Sequence, residues 1–333
     1  MSPSNFYSGY NLDYENRVLE IFTKQPDDNE TLFTLWADAF ADIEHVNLLL
    51  SGGIDSQFAL SVLLSLGKSV KVYICSFIWE DAVFNGPDVI HAMRYCNRFN
   101  LDYTSIEIDY KHFLHTNKHL EICKKYKAVS PQIALQLAML DLIDNNDPIV
   151  MGGDLPLMQF DFEKQRSTII GLSYQPFIMT PFLNYARYNN RIVIKDLFRL
   201  NPKTHYLGYK QCIDTTKKHK MVIPHTMKGI GATQALRKLI YSDIGANILP
   251  PLAKNTGFEN LKSHLAMHSG IYNQFDMLYR YPLENTLRLE PWYNHSIFKV
   301  TTDKIISELR QEYEQFCIGN TELHHLEFYN FIL

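Results

Sequence analysis

No apolar run in the chain approaches the roughly 18 residues a membrane-spanning helix requires, and the opening Met1-Ser2-Pro3-Ser4-Asn5-Phe6 lacks the basic and apolar regions of a secretory signal. A cytoplasmic protein with no membrane partner is the expectation that follows. A dominant charge is missing as well: 32 basic residues against 36 acidic leave −4, which supplies no global field for nucleic acid, so such a partner would need a local patch. Cysteine pairs are absent. Cys75, Cys96, Cys123, Cys212 and Cys317 are odd in number and at least 21 residues apart, which excludes a CxxC zinc or redox motif and a disulfide framework. Reduced thiols, mostly buried as small hydrophobes, are expected instead. There is no internal repeat and no low-complexity tract, so a repeat array is excluded.

What the chain does have is material for a core: 333 residues, 46% apolar and 13% aromatic, enough for a globular protein of two domains or one extended α/β domain. The first 45 residues read as a helical lead-in, with Val18, Leu19 and Phe22, then Leu32, Leu35, Trp36, Ala39 and Phe40 at helical spacing. The pattern then changes. Val46 to Leu50 predicts a buried strand stopped by Ser51-Gly52-Gly53, followed by a helix with Phe58, Val62 and Leu66 on one stripe and Gly67 as its stop. Val70 to Phe77, a helix opening at Gly86-Pro87 and running to about Phe99, and Tyr103 to Ile108 continue the strand and helix alternation of a parallel sheet. Ser130-Pro131 starts a further helix over Ile133, Leu137 and Leu140, and Pro148 to Met151 is a fourth strand ending at Gly152-Gly153-Asp154. From about Asn201 onward helices are expected over Ala235–Ile244, Leu261–Tyr272 and Asp303–Phe316.

Two strands therefore end in glycine turns carrying an aspartate. In open α/β sheets ligands bind beyond the carboxyl ends of strands at the topological switch point, so both turns can face one ligand. Ser51-Gly52-Gly53-Ile54-Asp55-Ser56 suits an anion cradle: glycines let successive backbone amides turn to one point, the helix start adds its positive end, and two hydroxyls add donors. Asp55 would repel bare phosphate, which implies Mg²⁺ between them. No lysine follows the glycines at the spacing of a GxxxxGK[ST] loop, so γ-phosphate-transferring NTPases are excluded.

The Ser51–Ser56 stretch resembles the PP-loop signature of the N-type ATP pyrophosphatases, which cleave ATP between the α and β phosphates and adenylate a substrate. The segment from Ser130 through Ile149-Val150-Met151-Gly152-Gly153-Asp154 is similar to the second nucleotide motif of asparagine synthetases. Pro181-Phe182-Leu183-Asn184, Leu236-Arg237-Lys238 and Ile248 to Phe258 resemble that family's later motifs, in the same order. The resemblance implies an α/β, parallel-sheet adenine nucleotide alpha-hydrolase-like (PP-loop) core over residues 46–200. A helical extension over 1–45 precedes it, and a mainly helical substrate or partner region over 201–333 follows. ATP and Mg²⁺ are the implied cofactors, with Asp55 and Asp154 as the metal carboxylates and Lys254 as the lysine that steadies developing charge. Lys228, beside Gly229 and Gly231, is the substitute, because one extra residue separates Lys254 from Gly257. Leu49, Leu50, Ser51, Gly52, Gly53, Ser56, Phe77, Gly152 and Gly153 are the remaining nucleotide contacts, with adenine against strand-end backbone near Leu49, Leu50 and Phe77.

Departures from the family narrow the substrate. Its acidic residue before the glycine is Met151 here and its glutamate after the aspartate is Leu155, which argues against aspartate as the acceptor. The glutamine-hydrolysing domain is expected to be missing, so ammonia or an amine would come from a separate source. The reading is an AMP-forming C–N ligase acting on a carboxylate or carbonyl of a small molecule. The alternatives are a tRNA or DNA base-modifying enzyme and a catalytically silent nucleotide-binding module. The basic stretch of Arg199, Lys203, Lys210, Lys217, Lys218, Lys220 and Lys228, with Tyr206 and Tyr209, is where nucleic acid would bind. A solvated face with counter-charges from elsewhere in the fold is the plainer reading of that stretch. Lys111 to Lys127 reads as an exposed helix whose His112, His115 and His119 lack metal spacing.

Overall fold

The computed structural model describes residues 20–21, 30–116, 118–128, 131–153, 155, 157–161, 166–170, 175–219 and 230–249. Val18, Leu19, Phe22, Ser130, Asp154, Lys228, Lys254, Cys317 and the helices expected over Leu261–Tyr272 and Asp303–Phe316 lie outside the described residues.

Helix α1 (Leu32–Ala39) starts at Thr31, whose side chain accepts from the Thr34 amide while Thr34 answers on the Thr31 amide. Strand β1 (His45–Leu49) is apolar except for His45 and Asn47, and buried beyond its first residue, as a strand between two neighbours must be. The buried Asn47 amide is satisfied by the Asp147 carbonyl at 3.1 Å and by Asn145. Then come α2 (Ile54–Ser65), β2 (Ser69–Trp79), the two-residue β3 (Ala82–Val83), α3 (Gly86–Phe99) and β4 (Tyr103–Asp109). Helices α4 (Tyr110–His115), α5 (Lys118–Tyr126) and α6 (Pro131–Asp141) lead to β5 (Ile149–Val150). A hairpin of β6 (Leu157–Asp161) and β7 (Arg166–Ile170), helix α7 (Gln175–Asn189), β8 (Val193–Ile194), and helices α8 (Pro202–Lys218) and α9 (Ile230–Asp243) complete the elements. Among the described residues no helix is long and apolar enough to cross a membrane.

The parallel strands stand in the order β4–β2–β1–β5–β8, with β3 antiparallel at the end of β2. From β1 the chain builds outward through β2 and β4, then crosses to β5 and β8 on the other side. The switch point therefore falls between β1 and β5.

Strand alternation divides the core between the two faces. Leu48, Leu50, Val72, Ile74, Val150 and Ile194 face one side with Trp36, Phe40, Phe58, Tyr95, Tyr209 and Tyr241. Leu49, Tyr73, Cys75, Ile149 and Val193 face the other, with Tyr110, Phe113, Tyr126, Leu137 and Phe182. Helices cover both faces, so the fold is α/β with a mostly parallel sheet. Helix α1 and residues of α8 and α9 share the first of these cores with the strands.

Four places in the chain add to or depart from the pattern read in the sequence. Helix α2 buries Ser56, Gln57 and Ser61 as well as its apolar stripe, because the sheet lies on one side and the 247–249 segment on the other. Lys111 to Lys127 is not an exposed helix but two short ones. Their Phe113, His119, Ile122, Cys123 and Tyr126 are buried while Lys118, Lys124 and Lys125 face solvent. Helix α7 runs through Pro181, and β8 is two residues long, too short for any alternation to register.

Candidate functional site

The strands flanking the switch point both end in glycine turns, at Ser51-Gly52-Gly53 after β1 and Met151-Gly152-Gly153 after β5. In the first turn Gly52 has φ +77°, and a Cβ there would lie 2.5 Å from the Asp88 carbonyl oxygen and 2.9 Å from the Ala92 nitrogen. The start of α3 therefore presses directly on the loop, and only glycine fits between them. Gly53 is the N-cap of α2 and makes no side-chain cap hydrogen bond, while its own amide donates to Ser51 Oγ at 3.3 Å. The serines set the loop's shape: Ser56 Oγ accepts from the Ser51 amide at 3.2 Å, donates to the Gly53 carbonyl at 3.0 Å and lies 3.1 Å from Ser51 Oγ.

Asp55, in the first turn of α2, is held from α9. Arg237 Nη1 donates to Asp55 Oδ2 at 2.7 Å, and the Tyr241 hydroxyl bonds to Oδ1. The same hydroxyl lies 2.8 Å from the Gly153 carbonyl oxygen, so one phenol ties both glycine turns together. Tyr241 is fixed by stacking on Phe58, with ring centroids 4.2 Å apart and planes 19° from parallel. Gly153 is packed as tightly as Gly52, since a Cβ would lie 2.5 Å from Phe58 Cδ1. The expectation that the two turns converge thus has a geometric counterpart, with Asp55 and the Gly153 carbonyl meeting at Tyr241. Both Asp55 oxygens and the Gly153 carbonyl are thus engaged by Arg237 and Tyr241.

A second network, invisible in the sequence, lies behind the loop. Gln57 Nε2 donates to the Gly52 carbonyl at 2.8 Å and lies 3.1 Å from His91 Nε2, while Gln57 Oε1 accepts from the Leu249 amide at 2.8 Å. Burial above all, and the nearby Arg94, lower the His91 pKa, which keeps the ring neutral. The Asn247 amide donates to Ser61 Oγ at 2.9 Å and its carbonyl accepts from the Tyr95 hydroxyl at 2.8 Å. The strap that leads toward Lys254 is therefore tied to the back of the glycine loop. No local signal in Gln57 or Asn247 announces this, because the partners are 192 and 186 residues away.

The residues expected against adenine are placed differently from one another. Leu49 and Leu50 are buried at the end of β1 on opposite faces of the sheet, and the Leu50 amide donates to the Tyr73 carbonyl at 2.8 Å. The Phe77 amide donates to Asn85 Oδ1 at 2.8 Å and its carbonyl accepts from the Phe84 amide at 2.9 Å. The β2–α3 connection thus engages both backbone groups that were expected to read a base edge.

Three residues of the basic stretch pair with carboxylates of the chain, one of them buried and two at the surface. Arg199 is buried and ion-paired with Asp196, Lys203 reaches Glu30 at 2.8 Å, and Lys218 reaches Asp243 at 2.7 Å. The Lys218 ammonium foremost, after which Thr215 and His219 also contribute hydrogen bonds, holds the Asp243 carboxyl below its ordinary value. Among the described residues no three or more His, Cys, Asp or Glu side chains gather as a metal cluster.

The fold and site define an α/β protein, wound in both directions from β1, with its glycine turns at the switch point. No protein-family model and no curated protein matches the chain. Among solved structures, the chain is similar to a predicted subunit of tRNA methyltransferase from Methanocaldococcus jannaschii, at 18% identity, over 50% of this chain and 74% of that one, with a TM-score of 0.29. It is similar to an NH3-dependent NAD synthetase from Campylobacter jejuni at 15% identity, over 71% and 99% of the two chains, with a TM-score of 0.27. An NMN synthetase from Francisella tularensis matches at 15% identity over 72% and 99%, again with a TM-score of 0.27.

Proposed function

We propose that this protein is an ATP-dependent, AMP-forming synthetase of the PP-loop type that activates a carboxylate or carbonyl of a small molecule for attack by ammonia or an amine. The observation that carries the reading is Asp55: a carboxylate in the first turn of α2, two residues after the glycine N-cap, facing the Gly153 turn across the switch point. A carboxylate beside an anion cradle has a use when a cation stands between it and phosphate.

In the proposed reaction a substrate oxygen attacks the α-phosphorus and the α–β bridging P–O bond breaks, its electron pair leaving on pyrophosphate. The amine nitrogen then attacks the activated carbon, its proton is lost to water or a base, and AMP departs with the C–O electron pair. The loop amides and the Ser51 and Ser56 hydroxyls would hold the leaving pyrophosphate, a positioning and electrostatic task that needs no covalent chemistry from the protein. Asp55, with Asp154 beside Gly153, would hold Mg²⁺, which when bound supplies charge neutralisation at the leaving group. Lys254 is the proposed donor to the developing charge. It follows the tethered Leu249 by five residues, an extended span of at most about 18 Å. Lys228 is the substitute in that role.

The pairing of Arg199, Lys203 and Lys218 with Asp196, Glu30 and Asp243 favours a small-molecule acceptor over nucleic acid. Incubation with ATP and pools of small carboxylates should yield AMP and pyrophosphate, and Asp55→Asn should stop the reaction without unfolding the protein. ADP and phosphate as primary products would refute the proposal. A steep salt-dependent affinity for RNA or DNA would move the acceptor to nucleic acid.

A further inference from the structure

We propose that Gln57 is a positioning residue whose side-chain amide makes the glycine loop and the strap after α9 order together, so that an anion in the loop also fixes the segment leading toward Lys254. This rests on the reading of the Ser51–Ser56 loop as a pyrophosphate cradle. Gln57 and Ser61 are four residues apart on α2, and His91 and Tyr95 four apart on α3, so each pair shares one helix face. All four side chains are more than nine-tenths buried. The strap, residues 246–249, lies outside any helix or strand and is bonded to both helices through its backbone. The Asn247 amide donates to Ser61 Oγ at 2.9 Å, the Asn247 carbonyl accepts from the Tyr95 hydroxyl at 2.8 Å, and the Leu249 amide donates to Gln57 Oε1 at 2.8 Å.

The Gln57 amide can sit only one way round. Its Oε1 faces the Leu249 N–H and its Nε2 faces the Gly52 carbonyl at 2.8 Å, and a flip would set donor against donor and acceptor against acceptor. The second N–H of Nε2 then meets His91 Nε2 at 3.1 Å, which assigns that ring a bare Nε2 and a proton on Nδ1. Both N–H groups and the oxygen of one buried amide are thereby in use, by the loop, by α3 and by the strap. A trans peptide holds its C=O and N–H on opposite sides, so gripping the Gly52 carbonyl turns the Gly53 amide the other way, toward the Ser51 hydroxyl. Release of the strap leaves Oε1 without its amide donor and loosens the one orientation of Gln57 that grips Gly52. An anion that needs the Gly53 amide in place therefore favours the docked strap, and by linkage the docked strap favours the anion.

The test is a double-mutant cycle on the affinity for inorganic pyrophosphate with Mg²⁺, measured by calorimetry. Tyr95→Phe removes a hydroxyl that bonds the strap and not the loop, yet it should weaken pyrophosphate by roughly three- to tenfold, the worth of one neutral hydrogen bond. Gln57→Met should weaken it at least as much, and adding Tyr95→Phe to that variant should have no further effect, because the link is already cut. A Gln57 that merely stabilises the fold would lower the unfolding midpoint and leave the two losses independent. Additive losses, or an unchanged affinity in Tyr95→Phe, therefore overturn the proposal. If Gln57→Met does not fold, amide hydrogen exchange on the unaltered protein carries the test. Pyrophosphate should slow exchange at Asn247 and Leu249 by roughly fivefold or more, within the usual range of coupling between sites, and exchange indifferent to bound pyrophosphate overturns the proposal. The two levels of inference fail separately. No pyrophosphate binding by the unaltered protein removes the loop reading and the proposal with it, whereas binding without coupling removes only the role of Gln57.

Discussion

Replacing Gly52 by alanine tests whether the loop is shaped by its own residues or by the helix pressed against it. The structure assigns two separable penalties. At φ +77° an L-residue is strained by about 1–2 kcal/mol. The new Cβ would also lie 2.5 Å from the Asp88 carbonyl oxygen and 2.9 Å from the Ala92 nitrogen, backbone atoms of α3 that cannot rotate aside. Overpacking of that kind adds roughly 1–3 kcal/mol, so Gly52→Ala should lose about 2–5 kcal/mol of stability. Two other glycines serve as standards. Gly67 has φ +69° but nothing within 4 Å, so Gly67→Ala carries the backbone penalty alone. Gly53 has ordinary extended φ, and its nearest neighbour is the rotatable Ser51 hydroxyl at 3.3 Å. Gly53→Ala should be close to neutral in stability, since alanine also restricts the unfolded chain. It places a methyl group at the helix start, however, and should weaken ATP binding in a protein that folds normally. Urea unfolding followed by circular dichroism, compared at midpoints with equal slopes, should rank the losses Gly52 above Gly67 above Gly53. A Gly52→Ala protein no less stable than Gly67→Ala would show that α3 does not confine the loop.

Lys254→Ala should leave ATP binding nearly unchanged and slow turnover by roughly 10²–10³, the usual loss for one preorganised donor; a normal rate with a crippled Lys228→Ala would transfer the role to Lys228. His205 is buried against Tyr209, and burial first, then Arg199, holds its pKa well below the ordinary value. The folded protein therefore keeps it neutral while the unfolded chain takes up a proton below about pH 6.5, so stability is complete above that pH and declines as pH falls through it. His205→Gln should show a smaller drop in urea midpoint on going from about pH 7.5 to about pH 5.5, and an undiminished drop would refute the assignment. Burial raises the pKa of Cys75, Cys123 and Cys212 to about 12 and of Cys96 to about 11. Peptide mapping after native treatment with iodoacetamide should find all four unmodified, and rapid labelling of any of them would contradict its burial.

The sequence by itself determined the elements whose causes are local. The apolar run of β1, the glycines that stop it and the helix that follows fall within twenty residues, and Gly86-Pro87 marks the first turn of α3 as proline at a helix start should. The shape of the Ser51–Ser56 loop is local in the same way, since Ser51 and Ser56 bond to each other and to the Gly53 backbone within it. Burial of Cys75, Cys96, Cys123 and Cys212 likewise followed from residue type.

Only the tertiary structure decided what those residues face. Strand order placed the ends of β1 and β5 side by side, a pairing between segments a hundred residues apart that no periodicity encodes. Asp55 found Arg237 and Tyr241 more than 180 residues away, the Phe77 backbone met Asn85 and Phe84, and Lys203 and Lys218 of α8 met Glu30 and Asp243. The physical reason is the same in each case. Periodicity reports which side of an element is apolar, whereas a charge or a hydrogen-bonding group is satisfied by whichever partner folding brings within about 3 Å. That partner is set by the packing of the whole sheet and its helices, not by the neighbours along the chain.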